Sequence, residues 1–147
     1  MIREQKSVIA RVWTDSGEYG LGAVDPRAGY DEDSLEEMVD ILQNHLIPVV
    51  VREDSQRIRR IVDTMDAAIP KHFGAKAAVE VALSDLLGKV LGVPVHALFG
   101  GRVRDEIILN GWLGIVDPET ARLETQEMLD RGFRSLKVKI NADLAGA

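Results

Sequence analysis

The order of secondary-structure elements changes near two consecutive glycines, Gly100 and Gly101, and this change limits the possible folds most strongly. Before these glycines, the pattern predicts two strands followed by three helices, which is the order of an α+β domain. After them, strand, helix and strand alternate, which predicts two parallel strands joined by a right-handed crossover. We therefore expect an α+β domain over residues 1–101 and the first βαβ unit of a second domain over residues 102–147.

The two N-terminal strands form a predicted β-hairpin. Residues 8–14 alternate and are rich in β-branched side chains, residues 15–20 are turn-forming types, and residues 21–24 resume an apolar run. Gly20 and Gly22 resemble the glycines of a phosphate-binding loop only weakly, because strand patterns surround them. A tight hairpin is the better interpretation of these glycines.

The first helix begins at a predicted capping box. Ser34 and Glu37 have the required spacing, and the helix should run to about His45, ahead of Pro48. Negative charge is favourable at a helix start, so we interpret the acidic residues of this region as solvated and not as a metal cluster. These residues are Asp31, Glu32, Asp33, Glu36 and Glu37.

The third helix is predicted to be the most buried element. Asp54 or Ser55 begins the second helix, and residues 75–91 form the third, whose small and apolar residues cover more than one narrow stripe. Gly92 is suited to the left-handed position that ends this helix. Asp85 lies on it, and we expect a structural hydrogen bond or ion pair that holds the first domain to the second.

The alternating segment predicts the beginning of a larger sheet or barrel. Residues 107–113 and 133–140 are predicted strands, with a helix between them that begins at Asp117 and Pro118 and ends at Gly132. Parallel strands are normally buried on both faces, and two of them do not make a stable sheet. We therefore expect the chain to be a fragment.

The composition excludes several functional classes. A net charge of −6 disfavours binding to a nucleic acid backbone, and no apolar run reaches the ~20 residues of a membrane helix. The absence of cysteine excludes disulfides and cysteine nucleophiles, and the three histidines lack metal-ligand spacing. Because the N-terminus also lacks a secretion signal, a cytoplasmic location is expected.

Two lysines near the end of the sequence carry the strongest chemical signal. Lys137 and Lys139 alternate with apolar residues, so in a strand they share one face, roughly 6.6 Å apart. Repulsion between neighbouring ammonium groups favours loss of a proton from one of them, and a neutral lysine can act as a base. The alternative is a half-buried strand whose two lysines simply face water.

Four short motifs resemble, in order and spacing, the mandelate racemase and muconate lactonizing branch of the enolase superfamily. The resemblance extends from about Val8 to Ile140. The motifs are residues 82–89 (ALSDLLGK), 91–94 (LGVP), 98–101 (LFGG) and 136–140 (LKVKI).

This resemblance implies an α+β capping domain, made of an antiparallel hairpin or meander and a helical bundle, followed by the start of a modified (β/α) TIM-type barrel. Such barrels carry their chemistry at the C-terminal ends of the strands. The family removes the proton alpha to a carboxylate, and Mg²⁺ stabilises the resulting enediolate. By resemblance, Lys139 is the base and Lys137 the positive charge beside it, in a racemase or epimerase, a cycloisomerase or an acid-sugar dehydratase.

Three further residues are candidates for substrate binding. In this family the loop that holds Arg27 and Tyr30 can reach over the barrel mouth, and the alternative is an ordinary surface loop. Trp112 lies near the end of the first barrel strand, where it either lines the pocket or packs in the core. The expected partners are a small carboxylate substrate and further copies of the chain in a homo-oligomer.

The resemblance also implies that parts of the site are missing. The family's acidic Mg²⁺ ligands lie on later barrel strands, and its lid and a further strand precede the region matched here, so we expect an inactive chain without metal ligands. A rival hypothesis is a non-catalytic assembly module that self-associates or complements a separate barrel chain. A Schiff-base lysine enzyme is the third alternative.

Overall fold

The computed structural model describes residues 6–26 and 33–140. By its internal contacts the chain divides into two compact units, Met1–Arg102 and Val103–Ala147. The first unit contains a two-stranded sheet and five α-helices among its described residues, and the second contains a two-stranded sheet and one helix. Within the described part of the chain, every helix is too short or too polar to cross a membrane.

The predicted hairpin is confirmed. Strands β1 (Val8–Trp13) and β2 (Tyr19–Val24) pair antiparallel, from Val8 opposite Val24 to Trp13 opposite Tyr19. Gly17 has a φ of +98°, so a residue without a Cβ suits the turn between them. Gly20 and Gly22, however, lie inside β2 and not in the turn.

Gly20 and Gly22 allow β2 to lie directly on helix α4 (Phe73–Leu91). A Cβ at Gly20 would be 2.0 Å from the carbonyl oxygen of Ala82, and one at Gly22 would be 1.9 Å from that of Ala78. No side chain fits at these distances, so the two glycines are required by the close approach of strand and helix backbones.

Helix α4 is the most buried helix, as predicted, with nine buried residues. One side of it meets β2, and residues on another side join a second set of apolar residues from the neighbouring helices. Gly92 follows the helix with a φ of +67°, which confirms the predicted left-handed end. The buried core cluster comprises Ile41, Leu42, Leu46, Ile61, Met65, Ala75, Val79 and Leu83.

Helix α1 (Leu35–Ile41) begins with the predicted capping box, in which the Ser34 and Glu37 side chains each accept a hydrogen bond from the other residue's backbone N–H. The prediction that this helix ends before Pro48 is wrong. A π-helical turn (Leu42–Leu46) follows α1 and leads directly into helix α2 (Ile47–Val50). Pro48 is tolerated because it stands in the first turn of α2, where a missing N–H costs little.

Helix α3 (Ile58–Ala68) begins later than predicted. The Asp54 carboxylate accepts a hydrogen bond from the Gln56 N–H at 3.0 Å and closes a local turn, so Asp54 does not start the helix. A short helix α5 (Val95–Leu98) was not predicted. The predicted break is present at Gly100 and Gly101, whose φ angles are +97° and +100°.

The structural role predicted for Asp85 is confirmed, but its partners differ from the prediction. Its carboxylate accepts a hydrogen bond from the Leu21 N–H at 2.8 Å and from the Lys89 ammonium at 2.6 Å. Lys89 also donates to the carbonyl oxygen of Tyr19 at 3.0 Å. Asp85 and Lys89 therefore clamp α4 to β2 within the first unit, because Asp85 faces the strand that the glycines bring close.

The prediction that the acidic residues around α1 are solvated is wrong for Asp33, which is buried. Its carboxylate lies 2.8 Å from Nδ1 of His72, which supplies the polar partner that a buried carboxylate needs. A second buried polar group, Lys76, donates to the Asp66 carboxylate at 2.7 Å and links α4 to α3. The two contacts join residues that are 39 and 10 positions apart in sequence.

The second unit has the predicted parallel strands, which are shorter than expected. Strand β3 (Gly111–Leu113) pairs parallel with β4 (Leu136–Val138), and helix α6 (Pro118–Asp130) connects them. Asp117 caps α6 as predicted, accepting hydrogen bonds from two backbone N–H groups. Residues 107–110 and 133–135, which the sequence pattern included in the strands, are not strand in the structure.

We expect Gly22→Ala to destabilise the first unit by at least ~2 kcal/mol, because the new methyl group would overlap the α4 backbone. The free energy of unfolding from urea denaturation measures this. Ala23→Val is the matched control, since Ala23 lies on the exposed face of the same strand and should change stability by less than ~0.5 kcal/mol. Equal effects of the two substitutions would contradict the packing described here.

The hydrogen bond from Lys89, and then that from the Leu21 N–H, holds the pKa of Asp85 below its ordinary value of 3.8. A lowered folded-state pKa stabilises the fold above the unfolded value, and this stabilisation is lost as the pH falls through the folded value. We therefore expect Asp85→Asn to cost ~1 kcal/mol near neutral pH. The difference from wild type should shrink as the pH falls below 3.8.

Urea denaturation at a series of pH values tests this expectation. Asp15→Asn, in the exposed hairpin turn, is the control for removing one negative charge. A stability difference between wild type and Asp85→Asn that stays constant down to about pH 3 would show that the charge of Asp85 does not support the clamp.

Candidate active site

The parallel ladder places Trp112 directly beside Lys137. The register pairs Gly111 with Leu136, Trp112 with Lys137 and Leu113 with Val138. Residues paired in a parallel ladder project to the same face, so the indole and the lysine side chain share one face of the sheet. Two of the three candidate residues that the structure describes, Trp112 and Lys137, therefore lie together.

Lys139 continues this face beyond the end of β4. Its backbone N–H donates to the carbonyl oxygen of Leu113 at 3.0 Å, which extends the hydrogen-bonding pattern by one residue. Because side chains alternate along extended chain, Lys139 projects to the same side as Lys137. Lys137 is exposed and Lys139 is half-buried. We name the surface formed by Trp112, Lys137 and Lys139 the lysine face.

The opposite face of the ladder packs against α6. A Cβ added at Gly111 would lie 2.5 Å from Cδ2 of Leu136 and 3.3 Å from the sulfur of Met128 on α6. Leu113, which shares this face, is only 5% exposed, whereas Trp112 is 48% exposed. The ladder thus has an apolar face covered by a helix and a second face that carries an aromatic ring and two cations.

Both lysines belong to the C-terminal end of the parallel strands. A side-chain hydrogen bond from Ser135 to Asn110 ties the two strands together at their other end. In barrel enzymes with parallel strands, the C-terminal end is where the residues of the active site are found. The lysine face therefore has the position and the chemistry to bind a carboxylate and to exchange a proton with it.

The remaining candidates, Arg27 and Tyr30, lie outside the described residues. Sequence reasoning also missed Gly114, which follows β3 and adjoins Trp112. The sequence did contain a sign of this position, because Gly114 follows the candidate residue Trp112 by two positions where no turn is predicted.

The described residues do not fit a magnesium ion. Over residues 6–26 and 33–140, no group of three or more histidine or acidic side chains lies close enough together to hold a metal. The lysine face itself offers cations and an indole, which are not ligands for Mg²⁺.

Comparison with known proteins finds relatives along nearly the whole chain. It is 33% identical over 143 residues to the N-succinyl-L-Arg/Lys racemase of Bacillus cereus, and 32% identical to the chloromuconate cycloisomerase of Cupriavidus pinatubonensis. These matches cover 96% and 95% of this chain but only 38% of either relative. The chain thus spans less than half the length of the curated relatives it matches.

Solved structures agree with these sequence relationships. The crystal structure of the Bacillus cereus racemase superposes with a TM-score of 0.91 at 32% identity, covering 95% of this chain and 38% of that one. A structure from Roseovarius nubinhibens, complexed with magnesium, superposes with a TM-score of 0.88 at 27% identity, covering 96% of this chain and 39% of that one. The fold is therefore the α+β capping domain and the first parallel strands of these enzymes.

The first unit provides the family assignment. Residues 1–100 match the sequence profile of the mandelate racemase / muconate lactonizing enzyme N-terminal domain. The chain belongs to the mandelate racemase and muconate lactonizing enzyme family.

Proposed function

We propose that this chain carries the base-bearing part of an enzyme that removes the proton alpha to a carboxylate. The observation that supports the proposal most is the lysine face, on which Lys137 and Lys139 lie together at the C-terminal end of the parallel strands, away from α6. Relatives named as a racemase, a cycloisomerase and an epimerase also support it.

In this mechanism Lys139, in its neutral form, accepts the α-proton on Nζ. Lys137 remains an ammonium ion and binds the substrate carboxylate, whose negative charge grows as the proton leaves. Because both side chains leave the same face of one strand, the carboxylate and the α-carbon can meet separate lysines at once. The indole of Trp112 forms an apolar wall beside them.

We propose Mg²⁺ as the cofactor, on the basis of the family to which the chain belongs. A bound Mg²⁺ would stabilise the enediolate charge, and one neighbouring structure is complexed with magnesium. Carboxylate ligands for it would have to come from outside the described residues. The proposed enzyme acts on a small carboxylate in the cytoplasm and forms a homo-oligomer. Arg27 and Tyr30 remain proposed substrate contacts.

A second candidate function is that of an assembly module, which one observation favours. In the second unit, several large apolar side chains that precede β3 or follow β4 are highly exposed. Their exposed fractions are 94% for Val103, 83% for Ile107, 82% for Ile108, 70% for Leu109 and 78% for Ile140. Such a surface promotes docking against another sheet or another copy. Exchange of the substrate α-proton with solvent separates the candidates, because the wild-type protein catalyses it if the chain is part of the proposed enzyme and does not if the chain is a non-catalytic assembly module.

We expect Lys139→Ala to lower the rate at which the substrate α-proton exchanges with solvent by a factor of ~10² to 10⁴, because no other group replaces the base. Proton NMR in D₂O measures this on the full gene product supplied with Mg²⁺. N-succinyl-L-lysine is the first probe, since a relative at 33% identity is named for that substrate class. Lys137→Ala should instead raise KM, because it removes a carboxylate contact.

Arg134→Ala is the control for this experiment, since it removes an exposed cation near β4 that is not on the lysine face. Lys139→Arg distinguishes a base from a structural cation, because arginine keeps the charge but does not release its proton. Exchange at the wild-type rate in Lys139→Ala, or rescue by arginine, would overturn the role of Lys139 as base.

A further inference from the structure

Gly114 occupies the position on the lysine face that follows Trp112. The ladder register pairs Leu113 with Val138, so Gly114 lies beside Lys139. Side chains alternate along extended chain, so a side chain at residue 114 would project to the same face as Trp112 and both lysines. Since residue 114 is glycine, this part of the face next to Lys139 carries no side chain.

The glycine at this position is not required by the backbone. The described glycines with positive φ are residues 17, 92, 100, 101 and 132, and Gly114 is not among them. Among the residues that the structure describes, no backbone atom of a distant segment comes within 4 Å of a Cβ built at this position. Apart from its chain neighbours, the described heavy atom within 4 Å of a Cβ at Gly114 is Cη2 of Trp112, at 3.7 Å.

The space at Gly114 is therefore defined by the indole of Trp112. A contact of 3.7 Å is an ordinary van der Waals distance, so alanine fits beside the ring without displacing it. A larger side chain would compete with the indole edge for the space next to Lys139. Trp112 is 48% exposed, so the ring is also accessible to a ligand.

We propose, on the basis of the function proposed above, that Gly114 determines substrate specificity by keeping the space between Trp112 and Lys139 open for the substituent on the substrate α-carbon. Lys137 binds the carboxylate, Lys139 faces the α-proton, and the indole packs against an apolar, flat substituent. The substrate class is therefore a small carboxylate with an apolar α-substituent large enough to reach the ring.

Tryptophan fluorescence tests this proposal directly. The sequence has two tryptophans, so Trp13→Phe leaves Trp112 as the reporter. Titration with phenylacetate, which carries an aromatic ring on its α-carbon, is compared with titration with acetate, which carries none. In this background we expect phenylacetate to bind more tightly and to change the Trp112 emission.

Two substitutions at residue 114 provide a graded comparison. Gly114→Leu should weaken phenylacetate binding ~10-fold or more while changing acetate binding less than about 2-fold, since only the larger ligand needs the space. Gly114→Ala, whose methyl group fits, should bind phenylacetate within about 3-fold of the parent. Circular dichroism verifies that the variants fold. If Gly114→Leu does not fold, Trp112→Leu replaces it, and calorimetry must then show the same selective loss of phenylacetate binding.

The possible outcomes separate this proposal from the proposed function. Equal binding of phenylacetate to the parent and to the folded leucine variant would overturn the role of Gly114, as would no preference of the parent for phenylacetate over acetate. Loss of both ligands to the same degree would also overturn it. The base is judged separately, by the exchange experiment on Lys139→Ala, whose result does not depend on ligand selectivity.

Discussion

The close approach of strand β2 to helix α4 is the contact on which the first unit depends. Gly20 and Gly22 lack the Cβ atoms that would overlap the α4 backbone. Once strand and helix touch, α4 is covered by the hairpin on one side and by α1 and α3 on another, which explains why small residues such as Ala78 and Ala82 line it. The Asp85 and Lys89 clamp then fixes the strand along the helix with directional hydrogen bonds.

In the second unit, the comparable constraint is that the two faces of the short parallel ladder differ: one packs against α6 and the other carries polar side chains. Helix α6 covers the face of Gly111 and Leu113, so the polar residues must project to the other. This division is what parallel strands of a barrel require, with helices outside and chemistry at the C-terminal ends. The family assignment and the geometry of the lysine face therefore support the same architecture independently.

The features that could be predicted from the sequence are those determined by residues within a few positions of one another. The capping box of Ser34, the cap of Asp117 and the left-handed Gly92 need only local hydrogen bonds or one permissive φ. Burial of Asp33 and the hydrogen bond from Leu21 to Asp85 were missed because they depend on segments 39 and 64 residues away. Of the candidate site, sequence alternation predicted the shared face of the lysines, but the pairing of Trp112 with Lys137 required the register.

That register decides whether the site exists at all. A slip of one residue would turn both lysines toward α6, since alternate side chains project to opposite faces. Gly111 favours this register, because a Cβ there would lie 2.5 Å from Cδ2 of Leu136 and that side chain would have to move. The hydrogen bond from Lys139 N–H to Leu113 fixes the other end. The chemistry proposed for Lys139 therefore depends on a register that a glycine on the opposite face of the ladder favours, and its proposed selectivity depends on a second glycine, Gly114, on the lysine face.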